Sequence, residues 1–234
     1  MFYFDWTYLL VLPFVILSLI ASANVNSTFK RYAEVFSRRG LTAAEAARRV
    51  LADNGVTNVK IERVRGHLTD HYDPRTNTIR LSENVHDSSS VASIGVACHE
   101  AGHAVQHAVG YFPIKVRTAI VPITNFGSAL AMPIFIVGLL LTYYGEQYSI
   151  IAYIGIALFS LCVIFQLVTL PTEFNASRRA INAISSNGIL DEREIQGAKK
   201  VLTAAAMTYV AALAVSLMQL LRLLIILGGA RRRD

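Results

Sequence analysis

The sequence predicts a mostly α-helical integral membrane protein, with four transmembrane helices and one small α+β domain at the membrane surface. Three observations carry that prediction. Apolar residues make up 53% of the 234-residue chain and charged residues 16%, against about 25% charged in globular proteins. Four stretches, 6–29, 118–145, 147–172 and 201–221, carry no charge, and each supplies the ~20 mostly apolar residues a helix needs to cross a bilayer core. Residues 24–117, between the first two, have the composition of an ordinary globular segment. With 14 Gly and 6 Pro in the chain, disorder and collagen-like repeats are excluded. Two cysteines, Cys98 and Cys162, cannot build a disulfide scaffold, and Cys162 lies inside an apolar run.

In chain order, the first span covers 6–23, with Trp6 and Tyr8 suited to the interface. Its ending, Ala21-Ser22-Ala23, resembles a signal-peptidase site, but Asp5 precedes the apolar run and no Lys or Arg does, so a retained anchor is expected. Residues 41–54, rich in Ala after Gly40, read as a helical packing element without chemistry. Residues 66–82 read as strand, turn, strand: Asp73-Pro74 starts the turn, Asn77 closes it, and Thr78 to Leu81 alternates. Residues 88–110 read as a helix capped by Asp87 or Ser88 and ended by Gly110. The second and third spans, 119–143 and 149–171, form a tight hairpin around Tyr144-Gly145-Glu146-Gln147-Tyr148. Pro171 and Thr172 mark a break before a new helical segment, 172–203. The fourth span, 204–227, holds Arg222, which near a helix end snorkels or pairs with a neighbouring helix.

The hairpin of spans two and three returns the chain to its starting side, so 24–117 and 172–203 face one compartment and can pack into one membrane-tethered domain. Of the 22 Lys and Arg, 13 fall in 24–117 and five in 172–203, many of them close to span ends. The positive-inside bias then makes this domain cytoplasmic. It also assigns the net charge of +6 to the membrane border rather than to a nucleic acid. Four crossings leave Arg231-Arg232-Arg233 on the opposite side, a minority of basic residues outvoted by the rest.

Within the 88–110 helix stands His99-Glu100-Ala101-Gly102-His103, an H-E-x-x-H pattern. Residues four apart are separated by about 40° around a helix, so both imidazoles leave one face and can share a Zn²⁺. Glu100 is then placed to accept a proton from the attacking water rather than to bind metal. As mere core residues, two histidines and a carboxylate on a mostly apolar helix would each need a buried polar partner.

A catalytic zinc has three protein ligands and one open position. His107 lies eight residues after His99, about 12 Å along a straight helix, too far to share the ion; it reads as a substrate contact, a residue behind the ligands, or a polar helix end. Glu173 is the better third ligand, since two crossings separate it from His103 and so leave both on one side. His71, Asp70 and Asp73 lie in the turn of the hairpin and are not needed as ligands. Cys98 points about 100° from the adjoining His99 and reads as core.

These motifs together resemble a known family. Thr69-Asp-His-Tyr-Asp-Pro-Arg75, the Ile79-Arg-Leu-Ser82 strand, Val96-Ala-Cys-His-Glu-Ala-Gly-His-Ala-Val-Gln-His107 and Pro171-Thr-Glu-Phe-Asn-Ala-Ser-Arg-Arg-Ala180 look like the YugP-like membrane zinc metallopeptidases. That gluzincin-type group is related in site design to the HtpX and CAAX-protease membrane peptidases. The resemblance spans nearly the whole chain and implies a zincin-like metallopeptidase domain, one Zn²⁺ per chain held by His99, His103 and Glu173, and Glu100 as general base. It also implies a multi-pass protein of a prokaryotic plasma membrane, acting on protein or peptide substrates that can themselves be membrane-associated. One departure concerns the groups behind the ligands. Many gluzincins carry Asp four residues after the ligand Glu to orient a ligand His, whereas this chain has Ser177 there and Asn175 nearby.

In metallopeptidases of this design an edge strand holds the extended substrate, and residues 78–82, with Thr78, Ile79 and Arg80, are the candidate; the bland alternative is a hairpin that only packs on the helix. Arg178 or Arg179 could face the oxyanion or anchor the membrane surface. The expected activity is peptide-bond hydrolysis by zinc-activated water, as a metalloendopeptidase before an exopeptidase. Two rivals stand beside it: a catalytically silent zinc-binding membrane scaffold, and a site-2-type protease with its motif inside a span. A transporter has only Arg222 and the Asn125 to Pro133 region behind it.

Overall fold

The computed structural model describes residues 5–66 and 69–230. His67 and Leu68 of the expected hairpin, and the Arg231-Arg232-Arg233 tail, lie outside the described residues. The described residues form seven α-helices, α1 (Tyr8–Ala33), α2 (Ala43–Asp53), α3 (Glu83–His86), α4 (Val91–Ala108), α5 (Phe112–Leu141), α6 (Ser149–Ser186) and α7 (Glu192–Ala230), and three strands, β1 (Lys60–Val64), β2 (His71–Asp73) and β3 (Thr78–Ser82). It is mostly helical, and α1, α5, α6 and α7 belong to the four segments long and apolar enough to cross a membrane.

The structure divides into two compact units. One comprises residues 5–20, 116–170 and 208–230. Here α5 and α6 run antiparallel, joined by two short 3-10 turns, Thr142–Tyr144 and Glu146–Tyr148. Glycines let them touch. A Cβ on Gly138 would strike the backbone of Ala152, and one on Gly155 would stand 2.5 Å from Phe135 N. Helix pairs in lipid use such small residues because close backbone packing replaces the missing hydrophobic drive. Phe135, Ala152 and Ile156 then share a buried cluster with Leu223 and Leu227 of α7.

Arg222 is the one cation of this apolar stretch, and it is buried and fully engaged. It donates through Nη2 to Asp5 (2.5 Å) and through Nε to Thr7 Oγ1 (3.0 Å), while its guanidinium lies 3.7 Å from the centroid of the Tyr8 ring. Asp5 is thereby the partner of an intramembrane charge, which resolves the choice between snorkelling and pairing in favour of pairing.

The other unit comprises 21–115 and 171–207. Its sheet is mixed, ordered β1-β3-β2, with β1 parallel and β2 antiparallel to β3. The β2–β3 turn follows the sequence signals: Asp73 accepts from Arg75 N and Thr76 Oγ1, and Asn77 takes the left-handed conformation at φ 51°. β3 is the middle strand, however. Its main chain is paired on both sides at Thr78, Ile79 and Arg80, so these three offer no free edge, and the expectation of substrate holding there by an open strand is overturned. The edges of the sheet are β1 and β2.

α4 runs through the middle of this unit, with most of its side chains buried. Its cap is Ser90, whose Oγ accepts from Ser93 N. The expected caps are occupied elsewhere, Ser88 Oγ by Ser90 N and Asp87 by Arg63 and His86. Gly110 follows the helix at φ +66° and ends it as expected. α2 is held by a full capping box between Thr42 and Glu45. The expected break at Pro171 does not occur, for α6 continues from Ser149 to Ser186. A proline removes one main-chain bond, and long apolar helices absorb that loss; just beyond it, Thr172, Glu173, Ala176 and Ala180 are buried. α7 likewise is one helix through residue 203.

Replacing Gly155 by Ala forces its Cβ into the backbone of α5, and the expected cost is about 1–3 kcal/mol by overpacking. Gly228→Ala, where nothing lies within 4 Å, is the control. Thermal unfolding in detergent should separate the two, and an unchanged midpoint for Gly155→Ala would refute the packing.

Candidate metal centre

His99 and His103 lie one helical turn apart on α4, and their rings meet edge to face with centroids 4.7 Å apart. Across from them α6 presents Glu173, which is 2% exposed. The approach is possible because Gly102 has no side chain: a Cβ there would sit 2.8 Å from Ala176 O. Glu173 Oε2 is 3.2 Å from His99 Nε2 and 3.5 Å from His103 Nε2, and the three side chains offer ligand atoms all within 4.8 Å of one another.

The proton positions follow from the neighbours. Arg179 Nε can only donate, and it donates to Asn175 Oδ1 (2.8 Å). Gln106, fully buried, donates through Nε2 to that same Oδ1 and to Thr172 O, both at 2.9 Å. Its Oε1 is therefore an acceptor, 3.0 Å from His103 Nδ1, and His103 carries its proton on Nδ1. On His99, Nδ1 lies 3.1 Å from Ser177 Oγ. With its proton on Nδ1, His103 leaves Nε2 free as a lone pair, and the Nε2 atoms of both rings lie beside the same Glu173 oxygen.

Two imidazole nitrogens and a carboxylate gathered this closely can hold a cation between them. The chemistry of the set, two imidazoles and one carboxylate, is that of zinc. The two measured separations, 3.2 and 3.5 Å, also match the ~3.3 Å edge of a tetrahedron built on bonds of about 2.0–2.1 Å. The residues fit the ion.

Glu100 turns to another neighbour. Its Oε2 accepts from the main-chain N–H of Tyr72 in the edge strand, at 2.9 Å. Asp70 holds that strand end by accepting from Ser82 N and Oγ, and burial pushes its carboxyl up from the usual range. Asp73 is tied to Arg80, whose guanidinium together with Thr76 holds its carboxyl well below that range. His71 is exposed, with Nδ1 2.7 Å from Thr69 O. The structure thus brings none of these three to the cluster.

His107 is apart from the three ligand atoms and meets the Tyr72 ring at 5.4 Å between centroids. Arg178 is exposed and Arg179 is bound to Asn175. Thr78 and Ile79 are buried in the sheet, and Arg80 spans Asp73 and Thr76. Cys98 is in the core, where burial pushes its thiol up. Sequence reasoning missed Gln106 and the Tyr72 amide. Gln106 carried a legible signal, an amide three residues after a ligand histidine on the same helix face; the Tyr72 contact depends on how the hairpin sits on α4 and had none.

The family model described as "Putative neutral zinc metallopeptidase" matches residues 7–228. The chain is also similar to the "Putative membrane protease YugP" of Bacillus subtilis (strain 168), 47% identical over 215 residues, which cover 92% of this chain and 93% of that relative. No solved structure matches. Because the matched region contains all four apolar helices together with His99, His103 and Glu173, the chain belongs to this zinc metallopeptidase family.

Proposed function

We propose that the protein is a membrane-bound zinc metallopeptidase that cuts peptide bonds, with His99, His103 and Glu173 as metal ligands and Glu100 as general base. One observation carries the reading: two imidazoles and a carboxylate from two helices, His103 and Glu173 buried and His99 half-buried, bring their ligand atoms within 4.8 Å of one another, and a further carboxylate, Glu100, stands beside them. A bound Zn²⁺ supplies Lewis acidity there, polarising the scissile carbonyl and lowering the pKa of the attacking water toward ~7.

The protein's own groups do the rest. The Tyr72 amide fixes one oxygen of Glu100, so the other is directed to take the water's proton and deliver it to the leaving amine. Gln106 holds His103 in the tautomer that ligation needs, and Ser177 orients the His99 ring. β2, the edge strand beside Glu100, is the strand along which an extended peptide would pair, with the Tyr72 amide kept by Glu100. A helix beside a sheet edge, with the third ligand on a later helix, supports a zincin-like reading of this unit. The basic residues bordering the apolar runs favour a cytoplasmic site in a plasma membrane. α4 is not among the helices apolar enough to span, which speaks against the site-2 type.

Metal analysis of the purified chain tests the ligands. About one zinc per wild-type chain is expected, with loss in both His103→Ala and Glu173→Ala; zinc retained without Glu173 would remove it from the ligand set. Glu100→Gln should keep zinc and abolish cleavage of peptide substrates, and turnover by that variant would overturn the base. Zinc bound without cleavage by the wild type as well would favour the silent scaffold. For Gln106→Leu, which deletes the acceptor of His103 Nδ1, zinc affinity should fall about 10–100-fold in competition with a chelator. Wild-type affinity would mean that the amide only fills space.

A further inference from the structure

Two grooves of the mixed unit meet at Lys199 and Thr203. The larger, about 480 Å³, lies between residues 24–32 of α1 and 196–207 of α7. Arg31, Lys199 and Lys200 line it together with the hydrogen-bonding groups of Asn24, Thr28 and Thr203, and no carboxylate does. Among the described residues, none of those three cations is in an ion pair with Asp or Glu. Like charges gathered in one groove repel each other, and an anion placed among them turns the repulsion into attraction.

The second groove, about 330 Å³, is apolar in its walls, which Phe174, Ile181, Leu202 and Ala206 provide. Arg178 and the shared Lys199 stand at its border. A cationic compartment thus borders an apolar one at Lys199 and Thr203. The position along the chain adds the class of ligand. The uncharged run of α1 gives way to Lys30 and Arg31, and Lys199 and Lys200 directly precede the uncharged run of α7. Both sets lie within about two helical turns of their apolar runs, the level at which basic side chains meet phosphate head groups.

We propose that this double groove binds one anionic phospholipid, its phosphate among Arg31, Lys199 and Lys200 and an acyl chain against Phe174, Ile181 and Leu202. A soluble phosphate could use only the first half. The apolar half is also bordered by Ser177, whose Oγ touches His99 Nδ1, so the bound lipid lies next to a residue that holds a metal-ligand ring.

The test uses the full chain purified in detergent and titrated separately with phosphatidylglycerol, phosphatidylcholine and soluble glycerol phosphate. Bound lipid is counted by native mass spectrometry and stabilisation by the unfolding midpoint. Phosphatidylglycerol should bind the wild type most tightly. The triple variant Arg31→Gln, Lys199→Gln, Lys200→Gln should lose about tenfold or more of that affinity, whereas Arg48→Gln, Arg49→Gln, Lys60→Gln, equal in charge lost, should keep it. If the first triple does not fold, the single exposed change Lys199→Gln is read instead, with a partial loss expected. Equal binding of both lipids, equal loss in both triples, or glycerol phosphate binding as tightly as the lipid would each overturn the proposal. Because the readout is lipid retained rather than peptide cleaved, it stands or falls apart from the peptidase reading.

Discussion

The close approach of α4 to α6 at Gly102 and Ala176 is the constraint on which the metal centre rests. A side chain at 102 would collide with the Ala176 carbonyl, and any larger spacing would carry Glu173 away from the two histidines. The same approach brings Gln106 to Thr172 O and Asn175, and Ser177 to His99. Two helices distant in sequence therefore meet through six polar side chains and one absent one. The unspecified positions of H-E-x-x-H are occupied here by Ala101 and Gly102, and it is their smallness, as much as the spacing of the ligands, that makes a site across two helices feasible.

Polarity in the centre is fixed from the outside inward. Arg179, a group with donors only, sets the orientation of Asn175; Asn175 sets that of Gln106; Gln106 sets the tautomer of His103. Each amide in this relay could in isolation turn either way round, and the guanidinium at its far end removes the choice. A ligand histidine held so loses little freedom when it binds a metal, because its ring was ordered during folding.

Much of this was legible in the sequence because it is written in local spacing. The uncharged runs, the shared face of His99 and His103, the β2–β3 turn and the stop at Gly110 follow from side-chain type and period alone. What depends on context did not. Ser88 and Ser90 are equal as capping residues, and only the contacts of their neighbours decide between them. Pro171 is a strong stop in an isolated helix and a tolerated one in a long packed helix. Residues 78–82 alternate as any half-buried strand does, yet whether a strand is central or at the edge depends on where its neighbours pair. Gln106 sits outside every familiar motif, although its spacing from His103 places it on the ligand face.

The link between Arg222 and Asp5 bears on how the protein is made. These partners are 217 residues apart in sequence, and at ~5–20 residues per second the ribosome needs on the order of 10–40 s to reach the second after the first. Throughout that interval Asp5 has no guanidinium to meet, and the first helix must wait in the bilayer or at the translocon with its acid unmatched. The apolar unit thus closes only when its final helix arrives.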